Sequence, residues 1–279
     1  MKKITFLFAF VFIIISLNAQ STRAIYEYKY VRDSIANKAF TTTVFLDLNT
    51  NNVKFYYQEL YKMDSTKKAT GKSNVSMSMA NSVMLKRNLN SSTNENYIFV
   101  DTDYYSYPSE DKMNWNILPD TKKFKEFTLQ KATTNFGGRK WIAWFSKDVP
   151  INQGPFKFQG LPGLIFQIED EKKYFSFNLI EIKKLPEEYD TSGFLESNFG
   201  KKAIPVTFKK YNEILWNAYD NPFSEIRTKL ARGEDYTFSA YGRDIKSVKD
   251  LDEVRKTIQA DKRKYNNPIE IDKALKYKE

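Results

Sequence analysis

An α+β fold dominated by β structure follows from two periodicities and one compositional bias. Up to about residue 185, apolar side chains recur at every second position, the spacing of strands with one buried face. Beyond residue 200 the spacing changes to three and four, and helix caps appear. Phe, Tyr and Trp make up 16% of the chain, and aromatic pairs across neighbouring strands stabilise sheets. The expected architecture is a curled antiparallel sheet or open β-barrel with the C-terminal helices packed as a cap. The expected organisation is a leader over residues 1–19 and one domain over 20–279, mainly antiparallel β over 20–185 and mainly helical over 200–266.

Taken in order, Ala24 to Arg32 sets Tyr26, Tyr28 and Tyr30 against Glu27 and Lys29, as a half-buried strand requires. Phe40 to Leu48 repeats the pattern, Asn49-Thr50-Asn51-Asn52 turns the chain, and Val53 to Leu60 completes a hairpin. Residues 62–96 are rich in Ser, Asn, Thr and Lys and read as connecting sequence that includes a mobile loop. Tyr97 to Val100 and Trp115 to Leu118 are short strands. Phe124 to Thr134 and Arg139 to Lys147 pair through Asn135-Phe136-Gly137-Gly138.

Gly154-Pro155 and Gly160 then bracket Phe156 and Phe158 in an excursion from the sheet. Leu161-Pro162-Gly163-Leu164 fits a type II turn, in which Pro162 presets the first central φ and Gly163 accepts a positive one. A strand over Leu164 to Ile168 follows, then the polar reversal Glu169-Asp170-Glu171-Lys172-Lys173. The return strand, Tyr174 to Lys183, keeps Phe175, Phe177 and Leu179 on one face. Thr207 caps a helix with the stripe Phe208, Tyr211, Leu215 and Tyr219, ending before Asn221-Pro222. Pro222 opens a second helix toward Leu230, stopped by Gly233. Ser247-Val248-Lys249-Asp250 resembles a capping box ahead of a helix to about Tyr265.

The N-terminus carries an address. Lys2 and Lys3 precede an apolar run from Ile4 to Leu17, broken only by Thr5 and Ser16, and Asn18-Ala19-Gln20 follows. That order is a secretory signal peptide cleaved after Ala19. The run is shorter than the about 20 apolar residues that a membrane span needs. An exported protein results, periplasmic or associated with the outer envelope.

Two absences narrow the chemistry. The chain has no cysteine and no histidine. Thiolate nucleophiles, disulfides, a lipoprotein's cysteine anchor, Ser-His-acid triads and His-ligated zinc are all excluded. No calcium loop is spelled out either; Asp101-Thr102-Asp103 is too short. No cofactor, metal or catalytic residue is therefore assigned. The chain carries 44 basic against 34 acidic residues, net +10, and losing residues 1–19 removes only Lys2 and Lys3. The excess is spread in pairs such as Lys67-Lys68 and Lys201-Lys202, which argues against nucleic acid and for attraction to anionic envelope surfaces. Gly71-Lys72-Ser73 lacks the glycine that a phosphate loop needs five places earlier, and the Ser-x-x-Lys runs at Ser65 and Ser109 lack their companion motifs.

The densest signal lies between residues 136 and 165. On a strand, Trp141 shares a face with Arg139, Ala143 and Phe145, whereas Trp144 points opposite with Lys140, Ile142 and Ser146. Trp141 is expected in the core. Trp144, on the more polar face beside Lys140, is the candidate to stack on a ligand, with Phe156 and Phe158 lining a groove wall. Arg139, Trp141, Gly154, Pro155, Gly160, Pro162 and Gly163 are the structural signature. Gly138-Arg139-Lys140-Trp141, Gly154-Pro155-Phe156-Lys157-Phe158 and Gly160-Leu161-Pro162-Gly163-Leu164-Ile165, with a closing Asn267-Pro268-Ile269-Glu270, resemble the GLPGLI family of exported bacterial proteins. The resemblance implies a β-rich envelope protein, sometimes encoded beside outer-membrane transport receptors, and no catalytic residue. Many members carry a Cys where this chain reads Leu129-Gln130, so no thiol role transfers.

The expected function is that of an exported cell-envelope binding or accessory protein without catalytic activity, holding an amphipathic ligand or docking on an outer-membrane transport partner. The alternative is a carboxylate-dependent hydrolase acting on glycan or peptide, with Glu169, Asp170 and Glu171 as the nearest acids.

Overall fold

A computed structural model describes residues 21–72, 83–101, 103–198 and 200–277. The leader reading of residues 1–19 lies outside these, as do residues 73–82 of the 62–96 stretch expected to include a mobile loop. Two antiparallel meanders make one sheet. The first comprises β1 (Ser21–Val31), β2 (Ala39–Leu48), β3 (Asn52–Tyr57), β4 (Met84–Asn88), β5 (Thr93–Val100) and β6 (Asp103–Glu110). The second comprises β7 (Asn116–Phe124), β8 (Phe127–Phe136), β9 (Arg139–Ser146), β10 (Leu164–Asp170) and β11 (Phe175–Leu185). β11 returns to pair with β1 along its length, so the meanders join at the centre of the sheet. Tyr28 opposes Phe177 there, with ring centroids 4.4 Å apart and planes 5° apart. A two-residue strand, Ile204–Pro205, adds in parallel to β6, and the order ends at β7 on the other side. The sheet curls without closing, so the open form of the two expected architectures is the one that forms.

Each face is covered differently. The inner face carries the main core, with Tyr26, Val44, Leu46, Phe55, Trp141, Phe145 and Phe177 all buried. The outer face of β1–β6 is covered by α1 (Gln58–Thr70) and by Phe194 and Leu195 of the following connection. α2 (Phe208–Asp220), capped by Thr207 as its sequence demands, packs Tyr211 and Ala218 on Ile98, Val100 and Tyr107. α3 (Ser224–Ala231) and α4 (Val248–Lys264) share a smaller cluster of Ile226, Leu251, Val254 and Ile258. The Ser247/Asp250 capping box is complete. The outer face of β8–β11 remains uncovered, with Lys140 exposed and Ile142, Trp144, Gln167 and Asn178 half-buried.

Several boundaries differ from those the sequence suggests. The third strand stops at Tyr57 because the chain enters α1, a helix with only Leu60 and Asp64 buried. β4 and the start of β5 occupy part of what reads as connecting sequence, the rest of β5 is the strand expected over Tyr97 to Val100, and β6 forms where no strand is expected. Their inner-face residues, among them Arg87, Asn94, Asn96 and Ser109, are polar and so hide the alternation. The strand expected over Phe124 to Thr134 is split by a turn at Lys125, where φ is 53°.

The excursion after β9 folds inward. Leu164 N–H donates to Val149 O at 2.9 Å, Ile165 N–H to Gln153 O at 3.1 Å and Gly160 N–H to Asn152 O at 2.9 Å. Tyr26 Oη donates to Ile165 O at 2.6 Å. Phe156, Phe158 and Leu161 thereby fill the inside of the curl. The type II turn does not form. Gly163 N–H instead donates to Leu161 O at 2.8 Å, a tighter reversal around Pro162, and Gly163 is absent from the positive-φ glycines. Its glycine requirement is steric, since a Cβ would sit 2.0 Å from Ser146 O. Gly163→Ala is therefore expected to destabilise the protein by about 3 kcal/mol or more, measured by urea unfolding. Gly71→Ala, at φ 70° with open space around it, should cost only about 1 kcal/mol.

Candidate functional site

Strand alternation on β9 splits the two tryptophans as expected. Trp141 is wholly buried and Trp144 half-buried on the outer face. Lys122, reaching over from β7, places Nζ 4.2 Å from the Trp144 ring centroid and donates to Gln167 Oε1. Burial lowers the Lys122 pKa, partly offset by the charge of Glu169. Lys122, Ile142, Trp144, Gln167, Glu169 and Asn178 outline a depression of about 100 Å³. That is below the roughly 300 Å³ at which whole-ligand pockets begin, so it admits one chemical group of a larger partner. Lys140 lies on the same face, exposed, 3.9 Å from Glu171.

Phe156 and Phe158 are elsewhere. Both are core residues, 2% and 0% exposed, with Phe158 packed edge-on against Trp141 at 4.6 Å between centroids. The structure therefore brings Trp144 and Lys140 onto one face and places the two phenylalanines behind the sheet. As groove-lining residues they are corrected: their rings plug the curl because the excursion folds inward. Gly154 and Pro155 are buried with them; at Gly154 a Cβ would meet Ile165 Cδ1 at 2.6 Å. Gly160 keeps φ 96°, and Pro162 is exposed on the reversal.

The remaining signature residues converge on the C-terminal segment. Gly137 and Gly138, at φ 62° and 74°, let residues 270–272 approach so closely that a Cβ at either would lie 2.9 Å from Glu270 or Ile271. Arg139 donates to Ile269 O at 3.0 Å, Pro268 O at 2.7 Å, Asn267 Oδ1 at 2.6 Å and Asp170 Oδ2 at 3.3 Å. Asn267 in turn donates to Val31 O at 2.6 Å. Lys157, between the two buried phenylalanines and itself 0% exposed, holds Glu270 at 2.9 Å and Asp111 at 3.2 Å. Lys273 bridges the same two carboxylates from the rim.

This cluster extends inward. Arg87, 2% exposed, donates to Gln153 Oε1, Phe156 O and Asn94 Oδ1, and Asn94 donates to Asp111. Burial pulls Arg87 down to about 10, against a smaller upward pull from Asp111. Burial raises the Asp111 carboxyl, but Lys157, Ser109 and Lys273 together outweigh it and leave its pKa below the usual 3.8. Burial lowers Lys273, and Glu270 and Asp111 more than reverse that, so it titrates above 10.5. Beside the clamp lies a groove of about 410 Å³, bounded by Ser34, Arg139, Lys140, Lys172, Tyr174 and Ile271 among others.

The three hairpin acids diverge. Asp170 is buried, paired with Arg139 and accepting from Phe175 N–H at 2.7 Å. Glu169 is half-buried on the outer face, and Glu171 is exposed at the turn. Among the described residues, no three acids gather as a metal site. The sequence singled out neither Arg87, Asp111 nor Lys157. Only one signal was available, a lysine between two phenylalanines in a run otherwise suited to burial.

The comparisons with known proteins agree with this picture of a β-rich chain. A family model described as a protein of unknown function (Porph_ging) matches residues 19–167, more than half of the sequence. That span includes Arg139 and Lys157 and stops short of the segment they grip. No curated protein matches the chain significantly. The structures of PNGF-II in the C2 and P21 space groups have TM-scores of 0.52, with 14% and 13% identity. Each match covers 72% of this chain and 34% of that one, so the chain spans about a third of their length and shares fold alone.

The clamp has measurable consequences. Lys157→Met leaves Asp111 and Glu270 buried with only Lys273 between them, and is expected to cost about 3–5 kcal/mol in chemical denaturation. Combining it with Glu270→Gln should be less damaging than the sum of the single changes. Stability should also fall at both extremes of pH. Asp111 has a depressed folded pKa, so its contribution is present above 3.8 and disappears as pH drops below that value. Lys273 has a raised one, so its contribution holds below 10.5 and disappears as pH climbs beyond it. Denaturation midpoints measured across pH should show a plateau between, and Lys273→Met should flatten the alkaline limb.

Proposed function

The chain belongs to the Porph_ging family, whose function is unknown, and from that premise we propose an exported cell-envelope binding or accessory protein without catalytic activity. It engages an amphipathic ligand or an outer-membrane transport partner through the uncovered sheet face around Trp144. One observation carries this reading. The inside of the curl is filled by Phe156, Phe158 and Leu161, whereas the outer face of β8–β11 is open and holds a half-buried indole amid Lys122, Gln167, Glu169 and Asn178. A partly exposed aromatic ringed by polar groups suits contact with a surface that is apolar in part and wet at its margin.

More finely, the run Gly160 to Ile165 and the closing Asn267-Pro268-Ile269-Glu270 support a reading of the chain as similar to GLPGLI proteins. Residues 1–19 direct export, and with no cysteine in the sequence the protein carries no lipoprotein anchor. A hydrolase would need two acids facing one another across a cleft, and Glu169, Asp170 and Glu171 offer no such pair.

Trp144→Ala should weaken capture of envelope-extract components by at least about tenfold, roughly 1.4 kcal/mol, read by intrinsic fluorescence titration and pull-down. Trp144→Phe should retain much of the affinity. Equal binding by wild type and Trp144→Ala would remove this face from the function.

A further inference from the structure

A second surface stands apart from Trp144, at the end of the sheet where three turns meet. The β1–β2 turn spans residues 32–38, the β10–β11 turn 171–173, and the β8–β9 turn Gly137-Gly138. All three border the groove of about 410 Å³ beside the C-terminal segment. The end of α4 joins them, with Lys264 Nζ 3.8 Å from Asp33 and Arg32 stacked 5.1 Å from the Tyr265 ring.

Two features of this end need an explanation. Ile35 is 95% exposed at the tip of its turn. It is not on a loose loop: Asp33 Oδ1 accepts from the N–H groups of Ile35 at 2.9 Å and Ala36 at 3.0 Å, and Asn37 N–H donates to Asp33 O at 2.9 Å. The turn is built to hold an isoleucine out in water, where its apolar area is unfavourable. The turns and the elements that border them carry Arg32, Lys38, Lys140, Lys172, Lys173 and Lys264 against the carboxylates Asp33, Glu171 and Asp272, and Lys140, Lys172 and Glu171 line the groove itself. Asp170 is neutralised internally by Arg139.

We infer that this end docks on an anionic lipid bilayer, with Ile35 entering the headgroup boundary, the basic rim meeting lipid phosphates and the adjoining groove receiving a headgroup. The occupant follows from chemistry. A net positive rim attracts anionic headgroups at about 1 kcal/mol per cation close to the surface, and a rigid protruding aliphatic side chain adds hydrophobic insertion. Neither contribution alone gives stable attachment, so a reversible, salt-sensitive association results. The inference deepens the envelope reading and rests on export, but apart from Lys140, which borders both surfaces, it uses different residues from the Trp144 face.

The test is co-sedimentation of the purified protein with phosphatidylglycerol-phosphatidylcholine vesicles, with phosphatidylcholine vesicles as reference. Binding should require phosphatidylglycerol and be lost when salt shortens the screening length to about 3 Å. Lys38→Glu/Lys172→Glu should weaken it at least about thirtyfold, and Ile35→Ser about tenfold. Circular dichroism of these exposed-turn variants should match wild type. Trp144→Ala should leave vesicle binding unchanged. Failure to bind, equal binding to both vesicle types, or indifference to both turn variants overturns the inference. Vesicle binding that is lost in Trp144→Ala transfers the lipid contact to the outer face and overturns it as well. Absent vesicle binding with intact Trp144-dependent capture sinks this inference alone and leaves the proposed function standing.

Discussion

A lysine ammonium with no access to water fixes the arrangement of this protein. Lys157 lies between two core phenylalanines, where an unpaired charge would cost several kcal/mol. It is tolerable only because Asp111 from the end of β6 and Glu270 from the end of the chain arrive on either side. Three distant parts of the sequence are therefore committed to one point. The glycines at 137 and 138, the Arg139 fork and the inward excursion all serve that meeting. The signature reads physically as a device for seating the C-terminal segment.

The same inward excursion decides where binding can occur. Curled sheets often leave room inside for a ligand, but here the chain supplies its own occupant in Phe156, Phe158 and Leu161. The proposed binding role is therefore assigned to the exterior. Among the described residues, the outer face of β8–β11 and the turn end are two surfaces left open, and they differ in character. One is a half-buried indole among amides and ions, and the other is a basic rim around a single aliphatic tip.

Much of this was legible from residue order, and the gaps have physical causes. Period-two spacing located β1, β2, β9 and β11, a nearly continuous apolar run located β10, and alternation correctly sent Trp141 inward and Trp144 outward. The caps at Thr207 and Ser247 marked two helices because side-chain oxygens must satisfy free N–H groups there. α1 escaped notice since it buries almost nothing of its own. β4, the first half of β5 and β6 escaped because Arg87, Asn94, Asn96 and Ser109 face a polar interior, which inverts the usual rule that inward means apolar; the second half of β5 was legible as Tyr97 to Val100. Gly163 was recognised as obligatory for a conformational reason, whereas the closeness of Ser146 O is what excludes a side chain. The meeting of Lys157 with Glu270 joins residues 113 apart, and no local pattern can announce such a partnership.

That separation bears on the order in which the molecule is made. Glu270 is made 113 residues after Lys157, so a growing chain has no counter-ion for Lys157 from this segment until long after the strands around it have been made. β1 likewise waits for β11 before its second edge is paired. The interior of the curl is therefore sealed only once this late segment has been made and its carboxylate has reached Lys157.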